Sequence, residues 1–313
     1  FYNIGSEVLR KHYKHRVSEY SNWSQKEHSE SYLIYPENIG ERLSIDEVSL
    51  SKGELYTYVT NKDGKGKKGT LVASIKGTRS ADIIDVLEKI SLEKRKAVKE
   101  ITLDMANNME HASRMSFPEA ILTTDHFHVI KLAMEAMQHV RIKYRWEELD
   151  KENKTIKEAK DKGLKYVPTV FKNEDTPKQL LARSRYIIAK KRNEWTANQK
   201  ERAELLFKHY PLLKAAYKHV MQLRGIYKNT SMDKAKQEME QWLEKTNKLD
   251  IKEFRTVAYT IKTKMETILN YFKNRSTNAN AESFNAKIKL FRANFRGVKD
   301  IPFFLFRLEK LFA

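Results

Sequence analysis

RLSIDEVSLSKGELYTYVTNKDGKGKKGTLVASIKG, residues 42–77, holds three runs rich in β-branched and aromatic residues, separated by two turn signals. RLSIDEVSL ends at SKG, ELYTYVT ends at NKDGKGKKG, and TLVASIKG follows. Short runs joined by Gly-containing turns read as a three-stranded antiparallel meander. The period then changes. In SADIIDVLEKI, Ile83, Ile84, Leu87 and Ile90 recur at helical spacing, with Ser80 as the expected N-cap. VKEITLDM and AILTTD, on either side of a short helical stretch and Pro118, read as two further strands. Residues 42–125 therefore give β-β-β-α-β-α-β, a mixed α/β sheet with helices on its faces.

Upstream, residues 1–40 hold clustered aromatics and close at Pro36 and Gly40. Downstream of His126 the strand signals stop. VIKLAMEAMQHVRIKYRWEEL reads as a long amphipathic helix, and helical segments follow around 177–193, 197–208, 211–226, 231–247 and 251–273. The expected organisation is an N-terminal helical segment (1–40), a first core part (41–128), a helical basic block (129–275) and C-terminal core helices (276–313).

The 313 residues are 40% hydrophobic and 32% charged, the balance of a folded chain rather than a disordered one. IPFFLF is far too short to span a bilayer, so no membrane partner is expected. The first residues lack the apolar core of a signal peptide. With no Cys, disulfides and thiolate zinc sites are excluded, which fits a reducing cytoplasm. Residues 1–128 carry 19 Lys and Arg against 19 Asp and Glu, so the whole net charge of +19 falls in 129–313. One electropositive half points to a polyanion, and nucleic acid is the expected partner.

Two acids stand where side chains matter: Asp46 inside the first strand and Asp104 near the end of the fourth. An Asp embedded in apolar strand sequence is costly unless something uses it. Adjacent strands would set the two side by side, where like carboxylates repel unless a cation lies between them. Hard oxygen ligands suit Mg2+, with Mn2+ as substitute. STNANAESFNAKIKLFRANFRGVKD, residues 276–300, adds a third acid, Glu282, at the start of a basic helix. Asn285 and Lys289 share its face, while Phe284, Ile288, Phe291 and Phe295 lie on another face that would anchor the helix.

LSIDEVSLSKGELYTYVTNK, KEITLDMANNM, ILTTDHFHVIKLAMEAMQHVRIKYRW and STNANAESFNAKIKLFRANFRGVKDIPFFLFRL together resemble the DDE transposases of bacterial insertion sequences, in the ISL-three group. The resemblance covers roughly residues 37–313. It implies an RNase H-like catalytic core with a large all-helical insertion domain. It implies that Asp46, Asp104 and Glu282 are the catalytic, metal-binding acids. It implies phosphodiester hydrolysis at element ends followed by strand transfer to target DNA, by at least a dimer, because two ends are cut. Members of the group carry an N-terminal zinc-binding segment and a helix-turn-helix. This chain shows neither before Asp46, so those parts lie upstream, on a separate DNA-binding polypeptide, or are dispensed with. A non-catalytic element-derived DNA-binding protein and another RNase H-like nuclease remain alternatives.

In DHFHV, Asp125 is either an auxiliary metal or water-positioning group or the cap of the following helix. His128 is either a phosphate contact or a packed ring, and His126 is read as packed. Glu47 should point to the opposite face from Asp46 and is read as structural. Asn285, Lys289, Arg292, Arg296 and Lys299 are the expected DNA contacts. The loop at 61–69 is read as a mobile basic loop that either touches DNA backbone or is an ordinary solvated hairpin tip. Trp146, Trp195, Tyr217 and Trp242 either stack on unpaired bases or belong to the core.

Overall fold

A computed structural model describes residues 5–51, 53–295, 298 and 300–313. Arg296 and Lys299 lie outside the described residues. The chain divides into two compact units, Phe1–Asp125 with Asn274–Ala313, and His126–Lys273.

The first unit is built on a six-stranded sheet in the order β1-β4-β3-β2-β5-β6. The strands are β1 (Tyr32–Ile34), β2 (Arg42–Ser51), β3 (Glu54–Asn61), β4 (Leu71–Lys76), β5 (Glu100–Leu103) and β6 (Ile121–Thr124). The meander pairs as expected, Asp46 opposite Tyr58 in the β2–β3 ladder and Thr57 opposite Ile75 in the β3–β4 ladder. β5 and β6 run parallel to β2, with Ile45 beside Leu103 and Leu103 beside Thr124. This mixed sheet, with β5 and β6 added on the β2 side, is the RNase H-like core. β1 is an addition to the reading, since residues 1–40 were expected to be helical. Three residues are too few for a pattern, yet Leu33 is fully buried and β1 closes the β4 edge.

Ahead of the sheet stands α1 (Ser6–His12); α2 (Ser80–Leu87), α3 (Leu92–Lys96) and α4 (Asn107–Ser116) follow the meander. α2 starts at the expected cap Ser80 itself, one residue earlier than a Ser80 cap implies, and Arg79 occupies the N-cap. Leu43, Ile45 and Val59 meet Ile83, Leu87, Met109 and Ala112 on one face of the sheet.

The second unit is helical throughout its regular elements. It holds α5 (His126–Asp161), α6 (Pro177–Arg183), α7 (Ala197–His209), α8 (Pro211–Ile226), α9 (Met232–Leu249), α10 (Lys252–Thr263) and α11 (Met265–Asn274). α5 runs well past the expected Leu149, because residues 150–161 form polar helix with few apolar positions to signal it. α6 is far shorter than the segment expected over 177–193. Its core is well buried, with Trp242 fully enclosed and stacked on His219 at 4.2 Å.

The chain returns to the first unit as α12 (Ala279–Asn294) and α13 (Ile301–Phe312). Phe284 and Ile288 of α12, with Phe303, Leu305 and Phe312 of α13, cover Val48, Leu50 and Tyr58 on the second face of the sheet. Phe284 touches Tyr58 and Phe312 edge-on at 5.8 and 5.1 Å. Removing a ring so enclosed costs about 3–5 kcal/mol. Phe295 departs from the expected anchor: it lies just beyond α12, is 41% exposed, and packs on Phe291 and under the Arg307 guanidinium. The N-terminal stretch is tied down through Glu309 of α13, which accepts hydrogen bonds from Trp23 and Tyr35.

Candidate functional site

The register sets a row of acids across three strands. Ile45, Leu103 and Thr124 are neighbours on β2, β5 and β6, and the residues that follow them in the chain are Asp46, inside β2, and Asp104 and Asp125, just past β5 and β6. Asp46 alternates with Val48 and Leu50, so it belongs to the face covered by α12. Its Oδ1 accepts the Glu47 backbone N–H at 2.8 Å, and its Oδ2 accepts the Asn285 amide at 2.6 Å. Asp104 stands just past β5, where its Oδ1 accepts the Ala106 N–H at 2.8 Å. Asp125 is buried, and its N–H donates to the Leu103 carbonyl.

α12 lies along β2. Its first turn is held by Asn280, which donates to the Lys62 carbonyl at 3.2 Å. Lys287 reaches the Gly66 carbonyl at 2.6 Å, and Arg292 donates to the Ser49 carbonyl at 3.1 Å. The helix face that meets Asp46 is polar. Asn278, Glu282, Asn285 and Lys289 follow one another at helical spacing. Asn278 is fully buried, and among the described residues neither its amide nitrogen nor its oxygen finds a hydrogen-bond partner; the same holds for Asn285 Oδ1. Glu282 sits between these two amides with its side chain exposed. Each buried polar atom left unmatched costs about 1–3 kcal/mol.

The electrostatics are those of clustered anions. Glu47, set aside above as structural, is held above the ordinary carboxylate value by partial burial and then by the charge of Asp104. Among the described residues no three of His, Asp or Glu are gathered closely enough to hold a metal ion. The oxygen donors nonetheless suit a hard cation: two strand acids side by side, and a carboxylate on a helix whose amide already grips one of them.

The other residues singled out in the sequence take varied positions. Asn285, expected on DNA, is buried against Asp46. Arg292 braces α12 on β2. Lys62, expected at a solvated loop tip, turns inward. Its Nζ donates to Glu100 at 3.1 Å, to Thr102 at 2.8 Å and to Ser276, and Ser276 and Asn274 both donate to Glu100. The other lysines of the loop, Lys65, Lys67 and Lys68, are exposed. Lys289 is exposed. His126 packs on Tyr271 and Tyr227, and His128 lies edge-on to Phe127 in the first turn of α5. Trp242 is core, whereas Trp146 is 59% exposed. The inward turn of Lys62 had one available signal, Glu100 inside a strand sequence that needs a counter-charge.

The sequence profile of a family described as transposase, the DDE type of the ISL-three group, matches residues 43–308. No curated protein and no solved structure matches. Among the described residues no helix is long and apolar enough to cross a membrane.

Proposed function

Because the chain belongs to the ISL-three family of DDE transposases, which are DNA-binding, DNA-processing enzymes, we propose that it cuts the backbone at its element's ends and joins the freed ends to target DNA, with Asp46, Asp104 and Glu282 as the catalytic acids. The observation that carries this reading is the 2.6 Å bond from Asn285 to Asp46. It fixes the polar face of α12, one turn from Glu282, against the strand whose neighbour presents Asp104.

Asp46, Asp104 and Glu282 would hold Mg2+, or Mn2+ in its place. Paired ions of this kind, when bound, activate water and stabilise the leaving oxygen of a phosphodiester. The chain's own contribution is orientation. Backbone N–H groups of Glu47 and Ala106 fix one oxygen of each strand acid. Asn285 fixes the second oxygen of Asp46, and Phe284 and Ile288 hold α12 on the sheet. Lys289, exposed one turn beyond Asn285, is placed to meet a phosphate. Asp125 extends the acid row as an auxiliary group. At least two copies act together, because two ends are cut.

The test is Glu282→Gln in the full chain, with Mn2+ and end-containing DNA. Strand cleavage is expected to vanish while DNA affinity stays within about twofold, since one carboxylate contributes little to phosphate contacts. Full cleavage by the variant overturns the assignment. Manganese titration followed by electron paramagnetic resonance gives a readout apart from turnover. Asp46→Asn and Asp104→Asn should each weaken uptake, and uptake unchanged in both would move the metal elsewhere.

A further inference from the structure

The second unit holds a pocket that the strand chemistry does not use. It opens beside α7 and α8 with a volume of about 520 Å³. That lies within the roughly 300–1,000 Å³ common for small-ligand sites. Three aromatic rings make its apolar wall. Trp195 and Tyr217 lie 5.5 Å apart, and Phe207 is 5.2 Å from Tyr217 and 6.3 Å from Trp195. Two of the rings are pinned by their polar ends. Trp195 Nε1 donates to the Ile187 carbonyl at 2.8 Å, and the Tyr217 hydroxyl donates to the Lys190 carbonyl at 3.0 Å. What they leave for a ligand is hydrocarbon. Phe207 is the half-buried member and supplies the open ring.

The rim is cationic. Arg192, Lys200, Lys208, Lys214 and Lys218 line it, against the single carboxylate of Glu204. A pocket meant for an apolar side chain would not need five cations around it. A flat ring carrying phosphates on both sides would use both features: the ring stacks on aromatic carbon, and the phosphates meet lysines. We propose that this pocket receives a nucleobase turned out of the DNA duplex, with its flanking phosphates on the lysine rim. The proposal rests on DNA being the family's substrate and is independent of the three acids.

The full chain is tested by fluorescence anisotropy at low salt with three labelled DNAs: a paired duplex, the same duplex with one bulged nucleotide, and the same bulge lacking its base. The bulged duplex should bind about tenfold more tightly than the paired one, within the range that stacking one base on an aromatic ring provides. The baseless bulge should bind like the paired duplex. Phe207→Leu keeps apolar volume but removes the ring, and should reduce the tenfold preference to within about twofold while paired-duplex affinity holds. Tryptophan fluorescence in a Trp146→Phe background should be quenched by the bulged DNA alone, and adding Trp195→Phe to that background should abolish the quenching. Equal affinity for paired and bulged DNA in the unsubstituted chain, or a preference that survives Phe207→Leu, overturns the pocket and leaves the transposase reading standing. Binding to none of the three DNAs overturns both.

Discussion

Glu100 and Asp104 are four residues apart, one at the start of β5 and the other just past its end, and the structure treats them in opposite ways. Glu100, at the start of β5, is enclosed with its own cation: its side chain and that of Lys62 are 9% and 10% exposed, and Ser276, Asn274 and Thr102 fill out its hydrogen bonds. Asp104, at the other end, stands beside Asp46 and raises the carboxyl of Glu47. One carboxylate is neutralised from within, and the other adds to a negative field. A charge that is paired inside a fold supports the fold. A charge placed among like charges costs stability and is retained for what it can bind.

The sharpest way to break this contrast is to neutralise the acids at the open end. Asp104→Asn and Glu282→Gln should each lower strand cleavage on the order of a thousandfold or more, the scale seen when a central catalytic group is removed. Asp104→Asn should leave the thermal midpoint nearly unchanged, because Asn can still accept the Ala106 N–H and a repulsive charge is gone. A cleavage rate within tenfold of the parent, measured on nicked and intact end DNA, would make the two ends alike.

At the closed end the order reverses. Glu100→Ala strands the Lys62 ammonium in a buried setting and should cost about 3 kcal/mol, with urea denaturation followed by circular dichroism as the measurement. The double replacement Lys62→Met with Glu100→Leu should recover most of that loss, since a buried pair contributes little beyond an apolar substitute. A single variant as stable as the parent would mean that the network holds nothing.

A smaller effect probes how α12 is clasped. Gly66 has a φ of +69°, and a Cβ there would come within 2.7 Å of Lys287 Nζ. Gly66→Ala should cost about 1 kcal/mol through the left-handed backbone and displace the Lys287 contact. Lys287→Met alone tests the contact without the strain. If the two variants are equally stable, backbone conformation contributes nothing at Gly66.

Much of this was readable from the chain. The meander, the crossover strands and the positions of Asp46 and Asp104 follow from apolar alternation broken by acids. Glu282 needed more: its helix is amphipathic enough to dock, but only the family resemblance tied it to the strands. The Lys62–Glu100 pairing was hidden because a lysine among glycines looks solvated, and the partners that complete it, Ser276 and Asn274, lie 176 and 174 residues beyond Glu100 in sequence. β1 was hidden by its length, and the end of α5 by its lack of apolar positions. The charge that Glu47 feels from Asp104 had no local signal, because Asp104 lies one residue beyond the end of β5 and more than 50 residues away in sequence.

Glu47 also provides the mildest test, and the one that reads the open end directly. Partial burial first, then Asp104, holds its carboxyl above the ordinary value. The folded chain therefore binds this proton more readily than the unfolded chain does. The stability it lends is present below the unfolded value and is lost as pH rises through the raised one. Asp104→Asn removes the second cause, so the Glu47 titration should move down and its share of the pH dependence shrink. Carbon-detected NMR of the glutamate carboxyls follows this, with Glu47→Gln to assign the signal. Mg2+ should move the same titration in the same direction, because a cation at Asp104 screens the charge that Glu47 feels. If the replacement lowers it and the ion does not, the field at this end belongs to Asp104 and the cation binds elsewhere.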